Sequence, residues 1–167
     1  TYLDALNPLS VTLGIQNASF VAQAVDWIPE LVYEVISRAF HHKGCSFVRI
    51  IQRCPEFLPE LLDPWMNDPN RVLLLTHENG MRVSASLGRV YRNQREHDPA
   101  DIDAAREIAS LHDVTPVGIL YHDPTVPCYE DLHGIQPLRG AELIRQGLEA
   151  ELDKFTIWPQ EVAAGRP

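Results

Sequence analysis

Cysteine is scarce in this chain, occurring only at Cys45, Cys54 and Cys128 in 167 residues. Three thiols cannot form an even disulfide set, and no C-x-x-C pair occurs, so neither a disulfide scaffold nor a self-contained thiolate metal site is available. Basic residues are also few, 14 Lys and Arg against 23 Asp and Glu, for a formal net charge of -9. That balance excludes a surface built mainly to bind phosphate backbones or anionic lipid, so neither nucleic acid nor membrane is an expected partner. No apolar run approaches the roughly 20 residues of a membrane helix, and the N-terminus lacks a signal-peptide pattern. No internal repeat or low-complexity stretch occurs either. These absences point to a cytoplasmic protein, and a hydrophobic content of 45% suffices for one sizeable core.

What the chain does contain is α/β patterning. Asn7-Pro8 opens a short helical segment carrying Leu9, Leu13 and Ile15, and Ala18 to Val25 reads as a strand. Asp26 is placed to cap the following helix, whose first turn tolerates Pro29. From Glu30 to His42 the apolar positions Leu31, Val32, Val35, Ile36, Ala39 and Phe40 recur on one face. His41, His42 and Lys43 lie at the negative end of its dipole as a solvated helix end, before Gly44. Ser46 to Gln52 then reads as a buried strand. Strand, helix and strand make a βαβ unit, which joins parallel strands; ligands of such sheets gather beyond the strands' C-terminal ends, where Cys54 sits.

Prolines at 55, 59, 64 and 69 punctuate the next stretch, with a short helical piece expected around Leu58 to Leu62. Arg71 to His77 and Met81 to Leu87 flank Asn79-Gly80, a favoured pair for a tight turn, and predict an antiparallel hairpin. Asp98-Pro99 and Asp101 supply the start of a helix carrying Ile102, Ala105, Ile108 and Ala109. Val117 to Tyr121 is a short strand. A last helix is expected over Leu138 to Phe155, followed by a frayed tail after Pro159.

On its own, Cys54 in Ile51-Gln52-Arg53-Cys54-Pro55 reads as a small buried residue. The adjacent pairs His97-Asp98, His112-Asp113 and His122-Asp123 look like catalytic pairs, but sequence neighbours do not generally face one another, and a triad is assembled by the fold. Thr1 raises an N-terminal-threonine hydrolase, with the α-amine as base, though no supporting pattern follows it.

A longer series of motifs alters the weight on Cys54. Asn7-Pro8-Leu9-Ser10, Ala18-Ser19-Phe20-Val21-Ala22-Gln23, His42-Lys43-Gly44-Cys45-Ser46-Phe47-Val48 and Ile51-Gln52-Arg53-Cys54 occur in order over residues 7 to 57. This order and spacing resembles the second half of the thiamine-diphosphate domain in the β subunits of 2-oxoacid:ferredoxin oxidoreductases, with Gln23 where the family usually has arginine. Leu75-Thr76-His77-Glu78-Asn79-Gly80, His97-Asp98-Pro99 and Pro116-Val117-Gly118-Ile119-Leu120-Tyr121 resemble the family's C-terminal extension, particularly of the 2-oxoglutarate type.

The resemblance implies the later part of a parallel-sheet α/β thiamine-diphosphate-binding domain over residues 1–57, and a smaller mixed α+β extension with a hairpin and helices over 58–167. It implies that Cys54 is the last ligand of a [4Fe-4S] cluster whose other cysteines lie near the subunit's N-terminus; Cys45 and Cys128 match no ligand position. It further implies CoA-dependent oxidative decarboxylation of a 2-oxoacid, with 2-oxoglutarate favoured, or the reverse carboxylation. Thiamine diphosphate, Mg²⁺, ferredoxin, an α subunit and the N-terminal part of the β subunit would then be cofactors and partners. The family's GDG motif and distant asparagine for diphosphate and Mg²⁺ do not occur here, so catalytic and cofactor-contacting residues stay unassigned and the chain is expected to be a fragment, inactive alone. The competing reading without catalysis is an α/β assembly module.

Overall fold

In the computed structural model, residues 6–57 and 60–135 are described, together with Gly147 and Ala150. The chain divides into two units, Thr1–Tyr129 and Glu130–Pro167. The first contains a five-stranded sheet, and its elements follow from local chemistry. Asn7 caps α1 (Pro8–Thr12), its side chain accepting from the amides of Leu9 and Ser10. The strand β1 (Ala18–Val25) occupies the span expected from sequence, and all eight of its residues are buried. The helix α2 (Pro29–His41) starts with proline in its first turn, where a missing N–H costs nothing, and returns the chain to β2 (Cys45–Ile51).

The strands β1 and β2 pair in parallel from Ala18↔Cys45 to Val25↔Ile51, so the βαβ unit forms as its periodicity predicts. A short helix, α3 (Asp63–Met66), and a 3-10 turn at Pro69–Arg71 lead into β3 (Val72–Thr76). Then follow α4 (Ala85–Val90), β4 (Gln94–Glu96), α5 (Ile102–Ala109) and β5 (Thr115–His122). Strand order is β2-β1-β5-β3-β4. The pairs β3–β4 and β3–β5 are parallel, whereas β5 runs antiparallel to β1. Strands from both sides of residue 57 therefore share one sheet.

Helices cover both faces, which is why β1 is apolar at successive positions rather than alternating. On one face Phe20, Ala22 and Ala24 pack with Leu31 and Val35 of α2 and with Val72, Leu74, Val117 and Ile119. On the other, Val21, Leu73, Leu75 and Leu120 meet Leu9 and Leu13 from the α1 region and Ala105 and Ile108 of α5. Asp101 caps α5 by accepting from the amides of Asp103 and Ala104, as its sequence context suggests.

The expected hairpin does not form. Both edges of β3 are taken by parallel neighbours, β5 and β4, which leaves no ladder for a strand over Met81 to Leu87. Around Asn79-Gly80 the chain makes a local turn instead: the amide of Gly80 donates to His77 O at 3.2 Å and that of His77 to Met81 O at 3.1 Å. Met81 enters the core, and Ser84 caps α4. The three-residue strand β4 has the polar sequence Gln-Arg-Glu, which carries no apolar signal. Asp26 is not the cap of α2; the cap position is Ile28, without a side-chain hydrogen bond. The helix expected over 138–155 lies outside the described residues apart from Gly147 and Ala150. The helix α6 (Tyr129–His133) is followed by Gly134 in the left-handed region, with φ 62°.

Gly118 on β5 has φ 136°, and a Cβ there would stand 3.0 Å from Leu75 Cβ and 3.1 Å from Leu75 O on the adjacent strand. Gly118→Ala is expected to lower unfolding free energy by about 2–4 kcal/mol, from backbone strain together with overpacking. Urea denaturation checks this; an unchanged midpoint would mean that β5 and β3 do not approach this closely.

Candidate functional site

The parallel register carries β1 and β2 to a common C-terminal end. There the amide of Asp26 donates to Ile51 O at 3.0 Å. The Asp26 carboxylate accepts at Oδ2 from both the backbone N–H and the Nε–H of Arg53, each at 3.3 Å. Its other oxygen, Oδ1, is buried and has no hydrogen-bond partner. Cys54 follows directly and is half-buried. A cavity of about 460 Å³ opens beside it, lined by Asp26, Gln52, Arg53, Pro55, Asp63 and Met66. Among the described residues no group of three or more His, Cys, Asp or Glu could hold a metal ion. Cys45 starts β2 and is exposed; Cys128 precedes α6. Neither shares the end of β2 that leads to Cys54.

A few residues back, Gln23 is 1% exposed, and its Nε2 donates to Pro116 O at 2.6 Å. The β1–β5 ladder ends at Gln23↔Gly118, so the side-chain amide extends the pairing by one carbonyl. Its Oε1 and the Nε1 of Trp27 are buried without partners. These residues line a second cavity, of about 270 Å³. Sequence reasoning did not single out Gln23, Trp27 or Arg49 as site residues; a glutamine in an otherwise apolar buried strand was the available signal.

The opposite end of β1 holds the histidines. Ser19 Oγ and His42 Nε2 are 2.7 Å apart, and the His42 and His122 ring centroids are 5.1 Å apart, both near Phe20. A cavity of about 220 Å³ is lined by Phe20, Arg38, His41, His42 and His122. His42 is therefore half-buried in a polar cluster, not part of a solvated helix end, because Gly44 leaves room for the Ser19–His42 contact that a Cβ would fill. Ser19 is fully buried and lacks the exposure that a nucleophile needs.

The sequence-adjacent His-Asp pairs have separate roles. His97 is buried, with Nε2 2.6 Å from Leu120 O, and it ties β5 to the segment after β4. His112 lines the cavity beside Gln23, and its neighbour Asp113 is exposed. Asp123 accepts from the amide and hydroxyl of Thr125, bonds that hold its carboxyl below the ordinary carboxylate range. Thr1 lies outside the described residues.

Residues 87–136 match the family described as the C terminal of the pyruvate ferredoxin oxidoreductase beta subunit. Over 135 residues the chain is 24% identical to 2-oxoacid:ferredoxin oxidoreductase 2, subunit beta, of Aeropyrum pernix, covering 80% of this chain and 41% of that protein. Over 125 residues it is 29% identical to 2-oxoglutarate oxidoreductase subunit KorB of Mycobacterium tuberculosis, covering 74% and 32%. The chain is homologous to the β subunits of 2-oxoacid:ferredoxin oxidoreductases. It spans about a third to two fifths of the length of these curated relatives. The fold is similar to that of a chain of the 2-oxoglutarate:ferredoxin oxidoreductase from Magnetococcus marinus, solved with 2-oxoglutarate, coenzyme A and succinyl-CoA bound. The TM-score is 0.56 at 22% identity, over 100% of this chain and 47% of that one. The matched stretch 87–136 starts within α4 and includes all of α6, so the similarity takes in β5, which supplies Pro116 and His122 to the two ends of β1.

Burial holds the pKa of His42 and of His122 below the ordinary 6.5; the neighbouring His122 lowers that of His42 further, Arg38 lowers that of His122, and Asp123 opposes both shifts. A histidine with a depressed folded-state pKa binds fewer protons folded than unfolded. Its stabilising effect is fully present above pH 6.5 and is lost as pH falls through that value toward the folded-state pKa. Unfolding free energy is expected to decline from pH 7 to 5, with a flatter slope in a His42→Asn/His122→Asn variant. Chemical denaturation across that range measures both slopes, and equal slopes would contradict the assignment.

Proposed function

We propose that this chain is the C-terminal part of the β subunit of a 2-oxoacid:ferredoxin oxidoreductase, and that Cys54 supplies one thiolate ligand to a [4Fe-4S] cluster. The observation that carries this reading is the position of Cys54, half-buried beyond the C-terminal end of a parallel βαβ unit, in a chain homologous to those β subunits. That end is where open α/β sheets collect their ligands. A cluster takes four cysteine ligands. The single thiolate here fits such a group only as a partial contributor, the remaining ligands being the cysteines that the family carries near the β subunit's N-terminus.

In this reading residues 1–57 complete the thiamine-diphosphate-binding domain and residues 58–167 form its C-terminal extension. The reaction is CoA-dependent oxidative decarboxylation of a 2-oxoacid to acyl-CoA and CO₂, or the reverse carboxylation. Electrons pass singly to ferredoxin in the cytoplasm. The names of the Mycobacterium and Magnetococcus relatives favour 2-oxoglutarate as the substrate. Thiamine diphosphate supplies the electron sink for decarboxylation and the cluster supplies one-electron acceptance when both are bound. The GDG motif that holds Mg²⁺ and diphosphate in the family does not occur in these 167 residues, so those ligands come from the N-terminal part of the β subunit, and an α subunit completes the assembly.

This chain's own contribution is positional. Asp26 and Arg53 form an ion pair immediately before Cys54, which anchors the turn on which the thiolate stands. Pro55 lacks an N–H and limits continuation of the β2 ladder past it. Among the described residues no helix is long and apolar enough to cross a membrane.

The test is substitution in the whole enzyme. Cys54→Ser is expected to reduce cluster occupancy and 2-oxoacid-dependent ferredoxin reduction severalfold, while Cys45→Ser leaves both largely unchanged. Iron analysis and the visible spectrum of anaerobically purified variants provide the readout. A full cluster complement in both variants would overturn the ligand assignment and move the assembly-module reading forward.

A further inference from the structure

The cavity of about 270 Å³ beside Gln23 differs in charge from the rest of the protein. The chain carries a formal net charge of -9, yet the lining includes Arg49 and His112 and no carboxylate. Among the described residues, the Arg49 side chain on β2 makes neither an ion pair nor a hydrogen bond, and burial pushes its guanidinium pKa downward. A partly desolvated cation without a counter-charge favours an anion at the same place.

Two further groups narrow the chemistry. The Gln23 amide cannot be turned round, because its Nε2 must donate to Pro116 O; its oxygen, unpartnered in a side chain 1% exposed, can only accept. The buried Trp27 Nε1–H, also unpartnered, can only donate. A complementary molecule therefore brings a negative charge for Arg49, an acceptor for Trp27 and a donor for Gln23. The indoles of Trp27 and Trp65 in the lining favour a flat ring, and Trp65 is held in place by Arg71, whose guanidinium carbon lies 5.5 Å from its ring centroid. The volume lies just below the usual range for small-molecule pockets, about 300–1,000 Å³, and suits a single substituted ring. Water would satisfy Gln23 and Trp27 and leave Arg49 without its counter-charge.

We propose that this cavity binds a small aromatic carboxylate bearing a hydroxyl or amino group, its carboxylate on Arg49, its ring among the indoles and its donor on Gln23. The site shares no lining residue with the Cys54 cavity, and its assignment does not depend on the cluster reading.

The test is calorimetric titration of the native, anaerobically purified protein, with its accompanying polypeptides, using 4-hydroxybenzoate as the probe. Saturable binding at one site per chain is expected, with benzoate weaker and phenol at least about ten-fold weaker, a difference of roughly 1.4 kcal/mol or more. Arg49→Met should weaken 4-hydroxybenzoate about ten-fold or more, Arg49→Lys should retain part of the affinity, and His41→Asn, outside the cavity, should change nothing. Circular dichroism of each variant separates loss of binding from loss of fold. No saturation by about 10 mM probe, equal affinity in folded Arg49→Met, or displacement of the probe by thiamine diphosphate would overturn the proposal.

Discussion

The described fold depends on one strand buried on every side. β1 has no exposed residue, and it is the junction at which the two halves of the sheet meet, parallel to β2 along one edge and antiparallel to β5 along the other. Both helical layers pack on it. A strand in that position must present apolar side chains to two faces and satisfy its backbone from two neighbours, since an unpaired buried N–H or C=O costs about 1–3 kcal/mol. Ser19 and Gln23 are the polar exceptions: Ser19 contacts His42, and Gln23 is polar because the β1–β5 ladder stops there and the carbonyl of Pro116 still requires a donor.

Because β1 lies between β2 and β5, its two ends hold the chemistry-bearing residues. The antiparallel approach of β5 brings His122 opposite Phe20 near the start of β1, where it meets His42 from the end of α2. The parallel approach of β2 brings Arg53 and Cys54 to the finish of β1, where Asp26 holds the turn. One strand thus separates a histidine cluster sensitive to protonation from the thiolate proposed to hold a cluster. Asp26 links the backbone accounting to the proposed site: one carboxylate oxygen secures Arg53, and the other is buried without a partner.

The parts of this arrangement legible in the sequence are those set by local periodicity. The apolar run from Ala18 to Val25, the one-sided stripe of α2 and the apolar run of β2 specify a βαβ unit through short-range spacing alone. The motif order over residues 7 to 57 directed attention to Cys54. Long-range pairing was not legible. Asn79-Gly80 is a sound local turn signal, but a hairpin also requires a free strand edge, and β4 and β5 occupy both edges of β3. β4 itself is three polar residues at the sheet margin, defined by its neighbour rather than its own pattern. His42 looked solvated because the groups that enclose it, Ser19 and His122, come from strands distant in sequence. Gln23, Trp27 and Arg49 were passed over for the same reason, since an unpartnered polar atom can be recognised only once its surroundings are known.

Membership of an iron–sulfur, thiamine-dependent assembly is the central claim, and cofactor content measures it most directly. Native material containing the chain, purified without oxygen, would be analysed for iron, for thiamine diphosphate and for the intact masses of its polypeptides. The expected result is iron at about four atoms per catalytic unit or a higher multiple, bound thiamine diphosphate, and polypeptide beyond these 167 residues. A folded species of this chain alone, carrying neither iron nor thiamine diphosphate, would contradict the claim.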